Sequence, residues 1–334
     1  VRRTWSFIGG PPAAGRWRIA ETHMLQRLNL RPATREAIEG YIGISPWLIG
    51  FLVFTAGPFV ASFGLSFTDW QITVPPRFVG LDNYIRIFTK IRIFTKDPDF
   101  WQSMRVTFTY VAISLPLNLA AGLGLSLLLN HPLPGMRIFR TLFYLPVVLS
   151  GVSVALMWMW LLNPEYGVAN TLLAAIGIQG PNWFWSPDWA LPSVALMSLW
   201  RVGGGAIIYL AGLQNIPPHL YEAAEIDGAG RLAKFWNVTL PMLSPTILFQ
   251  LVMELIDAFQ VFTAVYVITG GGPARSTLFY MFYMFRTAFE DFDMGYASAL
   301  AWIMAVIIMA FTALVFRSSP LWVFYESEGK GTDS

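Results

Sequence analysis

IGISPWLIGFLVFTAGPFVASFGLSF, residues 42–67, runs for 26 positions without a charged side chain. As a helix it would rise about 39 Å, enough to cross a hydrocarbon core of about 30 Å with some tilt. Pro46 and Pro58 predict bends, which lipid tolerates only where neighbouring helices cover the freed backbone groups. Similar apolar runs recur near 106–129, 138–162, 190–213, 245–268 and 296–316. The pattern predicts an all-α integral membrane protein with six transmembrane helices over residues 41–317, between a polar lead, 1–40, and a polar tail, 318–334. A membrane β-barrel fits poorly, because its strands are about ten residues long and alternate in polarity.

Composition agrees. Of 334 residues 55% are hydrophobic and only 13% charged, about half the usual soluble level. An aromatic content of 16% suits lipid-facing surface and interfacial belts. The net charge of +2 comes without any aromatic stripe flanked by basic residues, so nucleic acid is not an expected partner. The absence of cysteine excludes disulfides, thiolate nucleophiles and cysteine metal sites, and His23, His131 and His219 are too scattered to suggest a metal cluster. The first forty residues lack the apolar core of a secretory signal, so the first span is expected to direct insertion.

Basic residues choose the orientation. With the N-terminus cytoplasmic, the inner segments hold Arg2, Arg3, Arg16, Arg18, Arg27, Arg31, Arg35, Arg137, Arg140, Arg231, Lys234, Arg317 and Lys330, thirteen in all. The outer ones hold seven: Arg77, Arg86, Lys90, Arg92, Lys96, Arg275 and Arg286. Part of that outer count comes from a direct repeat, Ile-Arg-Ile-Phe-Thr-Lys at 85–90 and again at 91–96, which is too short for a solenoid unit and reads as local extension.

The polar stretch 214–244 carries the most information. Residues 218–227 follow Pro217-Pro218 and read as a helix, with Glu222 and Glu225 expected in its early turns, where the helix dipole favours acid. Gly228 and Gly230 permit a turn or a close backbone approach. Leu232, Phe235, Trp236 and Leu240 recur at helical spacing, and Pro241 and Pro245 are expected to redirect the chain into the membrane. These residues serve an amphipathic linker on the membrane face as well as a docking element for a partner.

The same residues resemble the coupling loop of binding-protein-dependent ABC importer permeases. That pattern is Glu-Ala-Ala, three residues, Gly, nine residues, a β-branched residue, any residue, then Leu-Pro. Glu222, Ala223, Ala224, Gly228, Val238, Leu240 and Pro241 fill it, with Val238 in the usual Ile place. Asp227-Gly228-Ala229 and the run from Thr239 to Pro245 are similar to the carbohydrate branch of the family. Asn163-Pro164-Glu165-Tyr166-Gly167 resembles the segment after its third span. Gly270-Gly271-Gly272-Pro273 resembles the external turn of the maltose (MalF) or glycerol-phosphate (UgpA) type of subunit. The large external domain of the enteric maltose subunit has no counterpart here.

The resemblance implies a type I ABC importer permease fold with cytoplasmic coupling helices, in a bacterial cytoplasmic (inner) membrane, with both termini cytoplasmic. It implies as partners a second homologous permease subunit, two cytoplasmic ATPase subunits, an extracytoplasmic solute-binding protein and a sugar. The chain has no Gly-x-x-x-x-Gly-Lys-Ser/Thr loop, so it is not expected to be an enzyme, and ATP and Mg belong to the ATPase subunits. Glu222, Ala223, Ala224, Asp227, Gly228, Leu240 and Pro241 are the implied coupling residues. Glu222 either pairs with a basic residue of the ATPase or stabilises its own helix.

For the substrate path, Glu254 and Asp257 lie in the fifth apolar run, where a carboxylate is costly and faces protein or water. With Gln260 they offer acceptors to sugar hydroxyls, and Trp158, Phe259 and Tyr266 offer rings for apolar sugar faces. Glu254 or Asp257 serves as well in an ion pair with Arg201 or in packing at a subunit interface. Neutral oligosaccharides, acidic oligosaccharides and glycerol phosphate all suit the resemblance. A secondary transporter or channel working through Glu254, Asp257 and Arg201, or a membrane scaffold, would need no ATPase. The long loop match is what separates the three readings.

Overall fold

The computed structural model describes residues 32–89 and 98–324; the arginines up to Arg31, the second copy of the repeat and the end of the tail lie outside them. The chain divides after Ser62 into two units. The first holds α1 (Pro32–Phe51), a π-turn (Leu52–Ala56) and most of α2 (Gly57–Leu65), which form one helical run from Glu36 to Leu65. The helix passes through Pro46, and the π-turn stands directly ahead of Pro58. Pro58 has no N–H for the carbonyl four residues back, and widening to an i→i+5 bond, Gly57 N–H to Leu52 O, makes room for its ring.

The second unit opens with a two-stranded antiparallel hairpin, β1 (Thr68–Asp69) and β2 (Arg77–Phe78), with Thr68 opposite Phe78, and a short helix α3 (Asp82–Thr89). Next come α4 (Pro98–Leu129), α5 (Met136–Val148), α6 (Gly151–Leu161), α7 (Val168–Ala175), α8 (Pro187–Ser198) and α9 (Gly203–Gln214). The chain continues through α10 (Pro218–Ile226), α11 (Arg231–Lys234), α12 (Leu240–Phe259), α13 (Tyr280–Phe289) and α14 (Met294–Ser318). Helix α4 is the hub, packed against α8, α9, α12 and α13. Its Thr107 hydroxyl accepts the Tyr280 N–H at 2.9 Å, and the Tyr280 hydroxyl donates to Leu300 O at 2.8 Å. Phe100, Phe259, Phe279 and Leu300 fill the same core.

Among the described residues four helical runs are long and apolar enough to cross a membrane, and six if two bent pairs each count as one span. The bent pairs are the third and fourth predicted spans. Helices α5 and α6 meet at 101°, with Leu149 extended between them, and Pro187–Arg201 meets α9 at 47°. The fifth predicted span is also interrupted: α12 stops at Phe259, and a π-turn, Val265–Thr269, follows. Apolar content marks a span but does not reveal a break inside it. Irregular backbone at membrane depth is tolerated where protein covers it or it lines a cavity.

Candidate functional site

The loop of residues 214–244 is two helices and one turn. Pro218 occupies the first position of α10, where its missing N–H costs nothing. At the other end Gly228 N–H bonds Glu225 O at 3.0 Å and Ala229 N–H bonds Ala224 O at 2.8 Å, the paired bonds of a Schellman stop. Gly228 takes φ +78, a left-handed conformation, and a Cβ there would meet nothing within 4 Å. Its role is therefore set by backbone conformation and not by crowding. Glu222 and Glu225 fall in the middle and last turn of α10, not the early turns expected from the sequence. The helix dipole does not favour Glu225; Lys234 of α11 does, at 2.5 Å, and its hydrogen bond and charge hold the Glu225 carboxyl below its ordinary pKa. That ion pair ties α11 back to α10. Glu222, Ala223, Asp227 and Gly228 are exposed, and so are the large apolar side chains Ile226 (86%), Leu232 (72%) and Trp236 (58%).

Pro241 does not redirect the chain. Residues 231–259 form one helical run, in which a π-turn, Phe235–Thr239, absorbs the proline as the earlier π-turn absorbs Pro58. Leu240 and Pro241 are half-buried within this run. A continuous rod thus leads from the exposed loop into the bundle.

The rod ends at a cavity of about 630 Å³. Gln250, Glu254 and Asp257, on one stripe of α12, form one wall; Tyr110, Ser114 and Asn118, at positions i, i+4 and i+8 of α4, form another. The three helix breaks converge on it, since Gly151, Val202 and Gln260 all line it. Ser198 accepts a hydrogen bond from Asn118 Nδ2 at 3.0 Å, and Arg201 shares the space with both carboxylates. Among the described residues Glu254 forms no ion pair with Arg201. The cavity therefore presents carboxylate, amide, hydroxyl and guanidinium groups between helices of membrane-spanning length, where polar groups are costly.

Of the predicted substrate-path residues, Glu254, Asp257 and Gln260 come together on this cavity. The three rings do not. Phe259 is 1% exposed and packs against Phe108 and Phe311, so it has no surface to offer. Trp158 is buried beside Trp200, and Tyr266, though exposed, does not line the cavity but stacks on Phe262, which does. Sequence reading missed Gln250 and the α4 ladder; the i, i+4, i+7 stripe from Gln250 was the available signal.

The glycine-rich turn forms a separate feature. Gly270 and Gly271 take φ +55 and +83, the Gly272-Pro273 peptide is cis, and Thr277 Oγ1 donates to Gly272 O at 2.5 Å. Ala274 and Arg275 follow in the left-handed region, at φ +49 and +62.

A bundle of membrane-length helices whose breaks meet at a cavity carrying several polar side chains, with one helix running on into an exposed loop, is the architecture of a membrane permease. The chain belongs to the family of binding-protein-dependent transport system inner membrane components, which matches residues 121–321. It is 45% identical over 302 residues to the probable ABC transporter permease protein YesP of Bacillus subtilis, covering 89% of this chain and 96% of that one. The sulfoquinovosyl glycerol transport system permease protein SmoG of Agrobacterium fabrum is 36% identical over 307 residues, 92% of this chain and 94% of the relative. A bacterial ABC transporter involved in the import of the acidic polysaccharide alginate superposes with a TM-score of 0.73 at 25% identity, over 91% of this chain and 98% of that one.

Proposed function

We propose that this chain is one of two pore-forming subunits of an importer that passes a saccharide from an external binding protein to the cytoplasm. The observation that carries the reading is the unbroken helix Arg231–Phe259, which has the exposed α10–α11 loop at one end and Glu254 and Asp257 of the cavity at the other. The loop, with Glu222, Ala223, Ala224, Asp227 and Gly228, seats in a cleft of an ATPase subunit, where Ile226, Leu232 and Trp236 lose their exposure. ATP and Mg act in that partner, and the loop side, with both chain termini, is cytoplasmic. Closure of the ATPases pushes the loop, the rod carries the push to the cavity, and the cavity opens to the side where the binding protein waits. Glu254, Asp257 and Gln260 then accept sugar hydroxyls. Relatives that handle a sulfoquinovosyl glycerol and an acidic polysaccharide support a saccharide as cargo.

The test is ATP hydrolysis by the complex purified through this chain, reconstituted in lipid with its binding protein and a panel of mono- and oligosaccharides. One saccharide should stimulate hydrolysis, and Gly228→Val should abolish the stimulation while the complex still assembles. A chain that recovers no ATPase, or a complex indifferent to every saccharide, would sink the reading.

A further inference from the structure

The junction between the rod and the break in the fourth span has a consequence for how the stroke reaches the cavity. Gly203, Gly204 and Gly205 form the first turn of α9, immediately after the 47° bend. Each faces a neighbour. A Cβ at Gly203 would lie 1.8 Å from Phe143 O of α5, and one at Gly204 would lie 3.4 Å from Val147 of α5. On the opposite side Gln250, 3% exposed on α12, donates from Nε2 to Gly205 O at 2.9 Å. A Cβ at Gly205 would lie 3.2 Å from that same nitrogen. The first turn of α9 is thus gripped between α5 and the rod.

Apolar packing between helices gains little in lipid, where tails are as apolar as leucine, so a directional polar tie is a specific link. Glycine is also the weakest ordinary helix former, by about 1 kcal/mol per residue against alanine, which makes this turn the easiest part of the span to bend. We infer that Gln250 is a positioning residue: its bond to Gly205 makes the first turn of α9 follow the rod. Because Arg201 precedes the bend and Gly204 and Gly205 line the cavity, that motion changes the separation of Arg201 from Glu254 and Asp257. The Gln250 amide is held by Gly205 and is not counted among the sugar acceptors. The inference rests on the importer reading above.

Because this chain has no cysteine, one thiol can be placed at a chosen position and read against the same complex without it. Met253→Cys places a single thiol on a cavity residue that is 44% exposed. In the complete complex in proteoliposomes, its labelling by a membrane-impermeant maleimide is followed without nucleotide and with ATP plus vanadate. The parent protein should change its labelling rate by about fivefold between the two states, and Gln250→Met, similar in length but without the donor, should reduce that change to less than about twofold. No nucleotide-dependent change in the parent would fail the importer reading itself. A full change in Gln250→Met would overturn the inference and leave Gln250 as helix–helix glue. If Gln250→Met does not assemble, Gln250→Leu, also without the donor, is read in its place; normal switching there overturns the inference equally.

Discussion

At Gly228 a side chain would find open space, so the backbone conformation alone decides which residues the position tolerates. Its surroundings are open, so substitution costs only what the left-handed backbone charges, on the order of 1–2 kcal/mol for an L-residue. Asparagine tolerates that conformation far better than a β-branched residue. Gly228→Asn should therefore keep most of the saccharide-stimulated hydrolysis, whereas Gly228→Val should lose it by fraying the end of α10. Equal loss in both variants, measured in the reconstituted complex, would mean that the docking surface and not the turn needs glycine. The glycine was legible in the sequence through its place in the Glu-Ala-Ala pattern. The reason for it was not, because a close approach and a positive φ leave the same letter.

At the level of elements, the sequence announced where apolar helix lies and was silent about where it breaks. Residues 138–162 and 190–213 read as plain spans, yet α5 and α6 turn through 101° and α9 starts afresh at Gly203. The carboxylates in α12 were legible because charge at membrane depth is conspicuous. The facing of Phe259 was not, although helical geometry sets it about 200° around from Asp257, on the buried side with Leu255. The glycines of α9 give a graded test of this packing. At Gly203 a methyl group would meet backbone, Phe143 O, which cannot step aside; at Gly212 it would meet side-chain atoms of Leu243 and Thr246, both at 2.7 Å. Gly203→Ala should fail to give a folded chain. Gly212→Ala should fold with a loss of about 1–3 kcal/mol, the usual range for overpacking, seen as a lower midpoint of thermal unfolding in detergent. The reverse order would show that α5 and α9 approach less closely than described.

Across the whole molecule, the two ends of the bundle are held differently. At the rod's foot the described ties are Lys234 with Glu225, the Tyr221 and Thr239 hydroxyls with each other at 3.1 Å, and Ser244 Oγ, which donates to Pro241 O and accepts the N–H of Phe324 from the segment after α14. At the far end Asp99, opening α4, is paired with Arg275 at 2.8 Å and Arg286 at 2.6 Å, Gln102 Nε2 donates to Arg275 O, and Arg86 pairs with Asp293. On the proposed mechanism, a push delivered at the loop would meet an anchored end, and its displacement would become bending at the breaks between. Arg275 is held there at a cost, since it and Ala274 are non-glycine residues with positive φ, each worth on the order of 1 kcal/mol or more of strain. Removing Asp99 leaves both guanidiniums unpaired with the strain still in place. Asp99→Ala should therefore destabilise the chain by about 1–3 kcal/mol, between the values for exposed and for buried pairs. Arg275→Gly gives up one pair but also relieves one strained residue, so its unfolding midpoint in detergent should fall by clearly less. Equal falls in the two variants would show that the ion pairs do not hold the turn in its strained form, and the anchored-end account of bending would go with them.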